Sequence, residues 1–308
     1  MNSQNKQQAI KAAYGGVTVR HIIPISGKDS LATAIVQKII EPSLDYEYVF
    51  NPTGAELPEV FEWLEKVEIY LGKEIIRVGE DLHSIIEGYN YFLPNGQARY
   101  CTRQSKIEPF VNWIKGEKAI VYYGIRADEN REGFNNSTSL NIIPKYPLQE
   151  MHIDLQGVYG IINSRGLKPP TFFWKSVYEE VCNIIGRDVR LMLPEWLFDM
   201  LFAWRSRANC YFCFNQRLYE LVGLLENHPD LFDIAESYEY KGGETPFFWK
   251  KDYPLKKVRE NADIIRKKRV KQICKIIAPK MIGELFDNDD ETFIDVLEVR
   301  SCGLFCGK

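Results

Sequence analysis

An apolar run at residues 17–25 leads into the stretch Ile25-Ser26-Gly27-Lys28-Asp29-Ser30, and helix-forming residues follow from Leu31. The apolar run predicts a buried strand, and the segment after the stretch predicts a helix. The first backbone N–H groups of a helix lack partners within the helix, and the helix dipole favours an anion beside them. The stretch therefore predicts a strand, a short turn and a helix that together cradle a phosphate group.

The side chains of this stretch fit a phosphate site that also holds a metal ion. Gly27 lets the backbone approach a ligand closely, and the hydroxyls of Ser26 and Ser30 can donate hydrogen bonds to oxyanions. Lys28 adds a positive charge. Because the carboxylate of Asp29 would repel a bare phosphate, it indicates Mg²⁺ that bridges phosphate oxygens. The alternative is a turn that only connects two elements, since such short motifs are common.

Composition describes an ordinary globular protein. The 308 residues are 45% apolar and 26% charged, enough to bury a core without disulfides. We expect a cytoplasmic protein without a membrane contact, because the N-terminal residues are polar and no apolar run reaches about 20 residues. The net charge of −3 does not by itself indicate that the molecule binds nucleic acid, but basic residues concentrate at 250–280 and acidic residues at 284–298.

Strand and helix patterns alternate along the first half of the chain. Further strands are predicted at 47–50, 74–78, 118–123 and 140–143, with helices between them. This alternation predicts an α/β fold with a Rossmann-like, doubly wound, mostly parallel sheet, in which the turns after the strands converge on one crevice. Helical patterns dominate later, including one helix over 258–277. We therefore predict a nucleotide-binding domain at 1–150 and a helical region at 151–308.

Further segments show a specific resemblance when taken in their order. With the loop at 26–30, they resemble the phosphoadenosine phosphosulfate reductase branch of the adenine nucleotide alpha-hydrolase, or PP-loop ATP pyrophosphatase, superfamily. The segments are Asn51-Pro52-Thr53-Gly54-Ala55-Glu56-Leu57-Pro58-Glu59, residues 100–110 with Cys101, Gly124-Ile125-Arg126-Ala127-Asp128-Glu129-Asn130-Arg131, Tyr146-Pro147-Leu148, and Arg205-Ser206-Arg207-Ala208-Asn209-Cys210-Tyr211-Phe212-Cys213.

The resemblance implies a nucleotide site at these segments. Residues 26–30 would hold the phosphates, and Thr53 and Gly54 would lie beside the adenosine. Arg126 and Arg131 would contact the anionic end of the nucleotide, and a guanidinium fork suits phosphate or sulfate. The alternative for the two arginines is a solvated loop in which they form salt bridges with Asp128 or Glu129.

Five of the seven cysteines are candidate metal ligands. Cys210 and Cys213 have the spacing of two ligands on one metal, and the remainder would come from Cys101, Cys302 and Cys306. Three hypotheses stay open: a [4Fe–4S] cluster on Cys101, the Cys210–Cys213 pair and one tail cysteine; a structural zinc on the pair with both tail cysteines; or free thiols. Thr102 stands where cluster-bearing members of the resembled family carry a second cysteine.

Three functions are compatible with these features. In the first, ATP with Mg²⁺ adenylates an acceptor on nucleic acid or a small molecule, Lys28 and Arg126 stabilise the phosphate charge, and sulfur from a donor then displaces AMP. In the second, the chain is a phosphoadenosine or adenosine phosphosulfate reductase whose Cys302 attacks sulfur and is released by a thioredoxin-like reductant. The third is a non-catalytic, nucleotide-sensing subunit. A basic helix at 256–275 would contact nucleic acid, and a homodimer is compatible with the sequence.

Overall fold

The computed structural model describes residues 19–130, 133–134, 139–244 and 246–282. Within them, five strands pair in parallel in the order β3-β2-β1-β4-β5. The strands are β1 (Arg20–Pro24), β2 (Tyr46–Phe50), β3 (Ile75–Arg77), β4 (Ala119–Tyr122) and β5 (Ile142–Lys145). The predicted fold class is confirmed, since this is the order of a doubly wound α/β sheet.

Two compact units divide the described chain. The first contains residues 19–85 and 100–170, and the second contains 86–99 and 171–282. The predicted domain limits of 1–150 and 151–308 stay a prediction. Helices whose residues begin in the first unit are α1 (Lys28–Ile40), α2 (Pro58–Leu71), α3 (Leu82–Gly88), α4 (Tyr100–Thr102), α5 (Glu108–Ile114), α6 (Pro147–Glu150) and α7 (Leu155–Asn163), with a π-helical turn (Arg103–Ile107) between α4 and α5.

Parallel pairing places β1 at the centre of the sheet. His21 of β1 lies opposite both Tyr46 of β2 and Ile120 of β4, so the strand is hydrogen-bonded on both edges. Central strands of parallel sheets are buried on both faces, and Ile22 and Ile23, which point to opposite faces, are both fully buried. The turn that follows β1 is therefore held at a fixed position in the middle of the carboxyl edge.

One core of the first unit joins the sheet to α5. Phe110 and Ile114 on α5 pack in the same cluster as Ile22, Val49 and Val121 from the three central strands. All five side chains are fully buried. Because burial of each such side chain contributes about 1.5–3 kcal/mol, this cluster fixes the strand ends that carry the loops of the candidate site.

The second unit is helical in its described part. Its elements are α8 (Lys175–Ile185), a 3₁₀ turn (Val189–Met192), α9 (Glu195–Phe202), α10 (Leu218–Asn227), α11 (Pro229–Tyr238), α12 (Leu255–Glu260) and α13 (Ala262–Ile282). Helix α13 packs on α8 and α10. Its buried Arg269 donates to the carbonyl of Leu201 at 2.8 Å and lies over the ring of Tyr219.

The prediction of one continuous helix over 258–277 is wrong. The chain forms two helices there, because α12 ends at Glu260 and α13 begins at Ala262, with Asn261 between them. Asn261 has φ −106° and ψ 15°, outside the helical well, and its side chain donates to the carbonyl of Lys257. Asparagine competes with the helix by such local hydrogen bonds, which explains the break.

No helix in the described ranges combines the length and the apolar character needed to cross a bilayer.

Candidate functional site

The turn after β1 is closed by one serine. The Oγ of Ser30 accepts hydrogen bonds from the backbone N–H groups of Ser26 at 2.9 Å and Gly27 at 3.1 Å, and it donates to the carbonyl of Gly27 at 2.9 Å. Ser30 is buried, whereas Ser26 is exposed. The hydroxyl of Ser30 therefore shapes the turn from inside, and Ser26 is the serine whose side chain faces solvent at the start of α1.

The loop after β4 touches the first turn of α1. A Cβ added to Gly124 would lie 2.6 Å from the backbone nitrogen of Ser30 and 2.7 Å from the carbonyl carbon of Asp29. Real Cβ atoms do not approach backbone so closely, so only glycine fits at this position without a shift of α1. The loops after β1 and β4 thus meet where the strand order reverses, which is the place where doubly wound sheets bind ligands.

Gly124→Ala should separate these two loops. We expect the variant to lose about 1–3 kcal/mol of unfolding free energy, measured by urea denaturation, because an overpacked contact with backbone has no flexible neighbour to yield. Gly160→Ala on α7 is the matched control. An added Cβ there meets no atom within 4 Å, so that change should be neutral or stabilise by up to about 1 kcal/mol. Equal effects of the two variants would contradict the close approach of the loops.

Arg126 connects the same two loops by charge. Its Nη1 donates to Oδ1 of Asp29 at 3.1 Å, and its Nε donates to Oδ1 of Asp128 at 2.9 Å. A carboxylate oxygen of Glu129 lies 3.4 Å from Nη1. Burial alone would lower the pKa of Arg126, but Asp29, Asp128 and Glu129 together raise it above its usual value. The guanidinium is therefore a fixed cation at the N-terminus of α1. It also forms the ion pairs with Asp128 and Glu129 that the alternative interpretation of this loop predicted.

Asp29 stands between two cations. Its Oδ2 is 3.4 Å from Nζ of Lys28, and its Oδ1 accepts from Arg126. The side chains of Lys28 and Asp29 are each about one-fifth exposed, so this group borders solvent. The cluster holds two cations and three carboxylates once Asp128 and Glu129 are included, which leaves one net negative charge.

The turn after β2 has a buried and an exposed part. Thr53 is fully buried, and its N–H donates to both carboxylate oxygens of Glu56 at 3.0 Å while its hydroxyl donates to Oε1 at 2.7 Å. Gly54 is exposed with φ +74°, and the Nε2 of His83 lies 3.1 Å from its carbonyl oxygen. Thr53 thus shapes the turn, and Gly54 presents backbone to the carboxyl edge of the sheet.

Two acidic residues at this edge were missed by the sequence analysis. Glu56 holds Thr53, and the Thr-x-x-Glu spacing was the signal that could have found it. Asp81 accepts hydrogen bonds from the N–H and the hydroxyl of Ser84 at 2.8 and 2.7 Å. Burial alone would raise the pKa of the Asp81 carboxyl, but the hydrogen bonds from Ser84 bring this pKa below its usual value. An added Cβ on Gly54 would lie within contact distance of Asp81, so these residues support the turn.

The cysteines divide between the two units. Cys101 lies within the short helix α4 in the first unit and is half-buried. Cys210 and Cys213 lie on one turn of the second unit, closed by a hydrogen bond from the N–H of Cys213 to the carbonyl of Cys210 at 3.0 Å. Arg131, Cys302 and Cys306 lie outside the described residues. Within the described ranges, no three His, Cys, Asp or Glu side chains are arranged to hold a metal ion.

A buried arginine holds the turn that carries the cysteine pair. Arg205 is 1% exposed, and its guanidinium donates to the carbonyls of Arg207 at 3.0 Å and Cys210 at 2.7 Å and to the side chain of Asn209 at 2.9 Å. Its Nη1 has no hydrogen-bond partner in the described part of the chain. Burial lowers the pKa of Arg205 to about 10, although Glu220 and the two cysteines act in the opposite direction.

Comparisons with known proteins return distant relatives. No family model matches the chain. An uncharacterized protein of Methanocaldococcus jannaschii is 27% identical over 233 residues, which are 74% of this chain and 43% of the relative. The chain therefore spans less than half of the length of that curated relative. Among solved structures, the phosphoadenylyl-sulfate reductase of Candida auris, in a phosphate complex, is 16% identical with a TM-score of 0.40, covering 53% of this chain and 80% of that one.

Proposed function

We propose that this chain is a PP-loop nucleotide-binding enzyme that cleaves ATP to AMP and pyrophosphate and transfers the adenylyl group to an acceptor. One observation carries the proposal: the N-terminus of α1, Gly124 and Arg126 meet at the point where the strand order reverses. A helix N-terminus beside a fixed cation suits a phosphate group. The sequence of the turn, Ser-Gly-Lys-Asp-Ser, resembles the pyrophosphate loop of PP-loop enzymes, which supports the same assignment.

The charges at this site favour a metal-bound triphosphate. Among the described residues of this cluster, three carboxylates outnumber the two cations Lys28 and Arg126, and a metal ion would offset the repulsion between these carboxylates and a polyanionic nucleotide. Carboxylate oxygens are ligands that Mg²⁺ prefers, and Mg²⁺ in nucleotide sites needs only one or two of them because the phosphates supply others. Asp29 and Asp128 fit that donor set, and the bound ion would neutralise charge on the phosphates.

The proposed reaction assigns a role to each of these residues. An acceptor oxygen would attack the α-phosphorus, forming a new P–O bond while the bond to the pyrophosphate oxygen breaks. The negative charge that then grows on pyrophosphate would lie near Lys28 and Arg126, whose preorganised positive charge lowers the barrier. A sulfur donor would subsequently displace AMP from the acceptor, as the resemblance to sulfur-metabolising proteins suggests.

Nucleotide preference tests this proposal. Calorimetric titration should give at least tenfold tighter binding for ATP with Mg²⁺ than for phosphoadenosine phosphosulfate without metal. Asp29→Asn should remove most of that preference, because it leaves the cations without their shared carboxylate and weakens metal binding. Asp45→Asn, which changes a carboxylate that is 88% exposed, is the matched control and should bind as the unchanged protein does.

Other results would redirect or overturn the proposal. Tighter binding of the sulfonucleotide without Mg²⁺ would instead identify a reductase, and Cys302 would become the candidate nucleophile. Binding of ATP without any turnover would favour a nucleotide-sensing subunit. Failure to bind either nucleotide would reject the turn at 26–30 as a nucleotide site.

The proposal also includes a metal–thiolate group at Cys210 and Cys213. Arg205 is a buried cation that forms no ion pair with a carboxylate in the described part of the chain, and its hydrogen bonds and the more distant charge of Glu220 offset the cost of burying it only in part. A metal bound by two or more thiolates carries negative charge and would compensate it. This arrangement fits a [4Fe–4S] cluster or a zinc ion better than neutral thiols, and Cys302 and Cys306, which lie outside the described residues, are candidates for further ligands.

A further inference from the structure

Helix α13 has one face made of lysines. Between residues 265 and 278 its exposed side chains are those of Lys267, Lys268, Lys271 and Lys275 and no others. At about 100° per residue these four positions fall within about 100° of arc. The opposite face is buried and contains Val270, Ile273 and Ile277. We call these four residues the lysine row.

The lysine row is not neutralised by its surroundings. None of its four side chains forms an ion pair or hydrogen bond within the described ranges, whereas the side chain of Arg266 on the same helix pairs with Glu180 and Asp263. The row therefore concentrates positive charge on the surface of a chain whose net charge is −3. Such a concentration has no role in packing, since the buried face of α13 already holds the helix in the second unit.

We propose that the lysine row binds the phosphate backbone of a nucleic acid. From Lys267 to Lys275 the row is about 12 Å long, which matches the length of three to four base pairs along a duplex axis at about 3.4 Å each. Between Lys267 and Lys275 no exposed apolar side chain interrupts it, although the exposed Ile264 lies one turn before its first member, so the row itself suits an evenly charged polymer. The binding is independent of base sequence, because lysines in such a row contact phosphates and no base edges.

This inference deepens the proposed function and rests on it only where it names nucleic acid as the acceptor class. The surface itself is defined without reference to the nucleotide site. Binding is therefore measured in the absence of ATP. Nucleic acid binding without ATP cleavage would support the lysine row as a binding surface and reject the adenylyl transfer. ATP cleavage without nucleic acid binding would support the adenylyl transfer and reject the lysine row as a binding surface.

Fluorescence anisotropy with a labelled 20-base-pair duplex of mixed sequence tests the proposal on the full chain. We expect the change of all four lysines to glutamine to weaken binding at least tenfold at about 0.1 M salt. The slope of log affinity against log salt should fall in magnitude by about 3 to 4, since each phosphate contact contributes about 0.9. The matched control changes four exposed lysines elsewhere to glutamine: Lys66, Lys115, Lys175 and Lys251.

Three results would overturn the proposal. The first is the absence of binding by the unchanged chain. The second is equal weakening by the row variant and the control variant, which would indicate net charge alone. The third is competition by polyglutamate that matches competition by unlabelled duplex at equal charge, which would point to an acidic protein as the partner.

Discussion

Arg126→Ala should slow the release of pyrophosphate from ATP by about a hundredfold to a thousandfold at saturating ATP and Mg²⁺. Loss of one preorganised charge at an active site costs about this much. The guanidinium is fixed by Asp29 and Asp128, so it is aligned before a nucleotide binds. Arg126→Lys should recover part of the rate, because lysine keeps the charge but lacks the planar fork.

A purely structural role for Arg126 predicts a different pattern. Removal of the guanidinium leaves three carboxylates close together, and their repulsion could loosen the loop after β4. The maximal rate, the KM for ATP and the melting temperature should therefore be measured on the same samples. Arg165→Ala, which removes an arginine bonded to Tyr70 in the same unit, is the control. An unchanged maximal rate in Arg126→Ala would remove this residue from the proposed chemistry.

Arg205→Met should lower the free energy of unfolding by about 3 kcal/mol. The variant removes hydrogen bonds from a charged donor to the buried carbonyls of Arg207 and Cys210, each worth about 1.5–3 kcal/mol, while relief from burying a charge offsets part of the loss. Arg207→Met is the matched control two residues away. The side chain of Arg207 has an Nη1 without a partner in the described part of the chain, so its removal should cost less than about 1 kcal/mol.

Metal content measured on these samples tests the second part of the proposed function. About four iron atoms per unchanged chain would indicate a cluster and about one zinc a structural site. In either case Arg205→Met should reduce occupancy, and Arg207→Met should not. Similar stability losses in the two variants would contradict the bracing role of Arg205. Absence of metal from anaerobically purified protein would leave the cysteines as free thiols.

The sheet could be predicted from the sequence because its strands are short apolar runs between polar turns. Helix α2 could also be predicted from the sequence. Its buried residues recur at helical spacing, and Gly72 ends the helix with φ 70°; these buried residues include Val60, Leu64, Val67 and Leu71. Strand β5 was predicted to end before Pro144, yet it continues to Lys145. Proline is tolerated there because β5 is an edge strand, and the sequence alone did not show which strand is at the edge.

The site could be predicted only as a set of loops. The turn at 26–30 and the segment with Arg126 were predicted to lie at one edge of the sheet, because both follow parallel strands. Ser30 and Thr53 were predicted to contact the ligand, and in the structure their hydroxyls form hydrogen bonds within their own turns. The pairing of Asp29 with Arg126 was not foreseen, since it joins residues that are 97 positions apart and depends on how the two loops approach.

The central position of β1 has a consequence for synthesis on the ribosome. Arg20 pairs with Ala119, so about a hundred residues must be made before this edge of β1 can be covered. At about 5–20 residues per second that interval lasts about 5 to 20 seconds. During it, β1 and β2 can already associate through nearby sequence, but they expose a row of unpaired backbone groups. Nascent chains should therefore be most vulnerable to aggregation, and most dependent on chaperones, until β4 has left the exit tunnel.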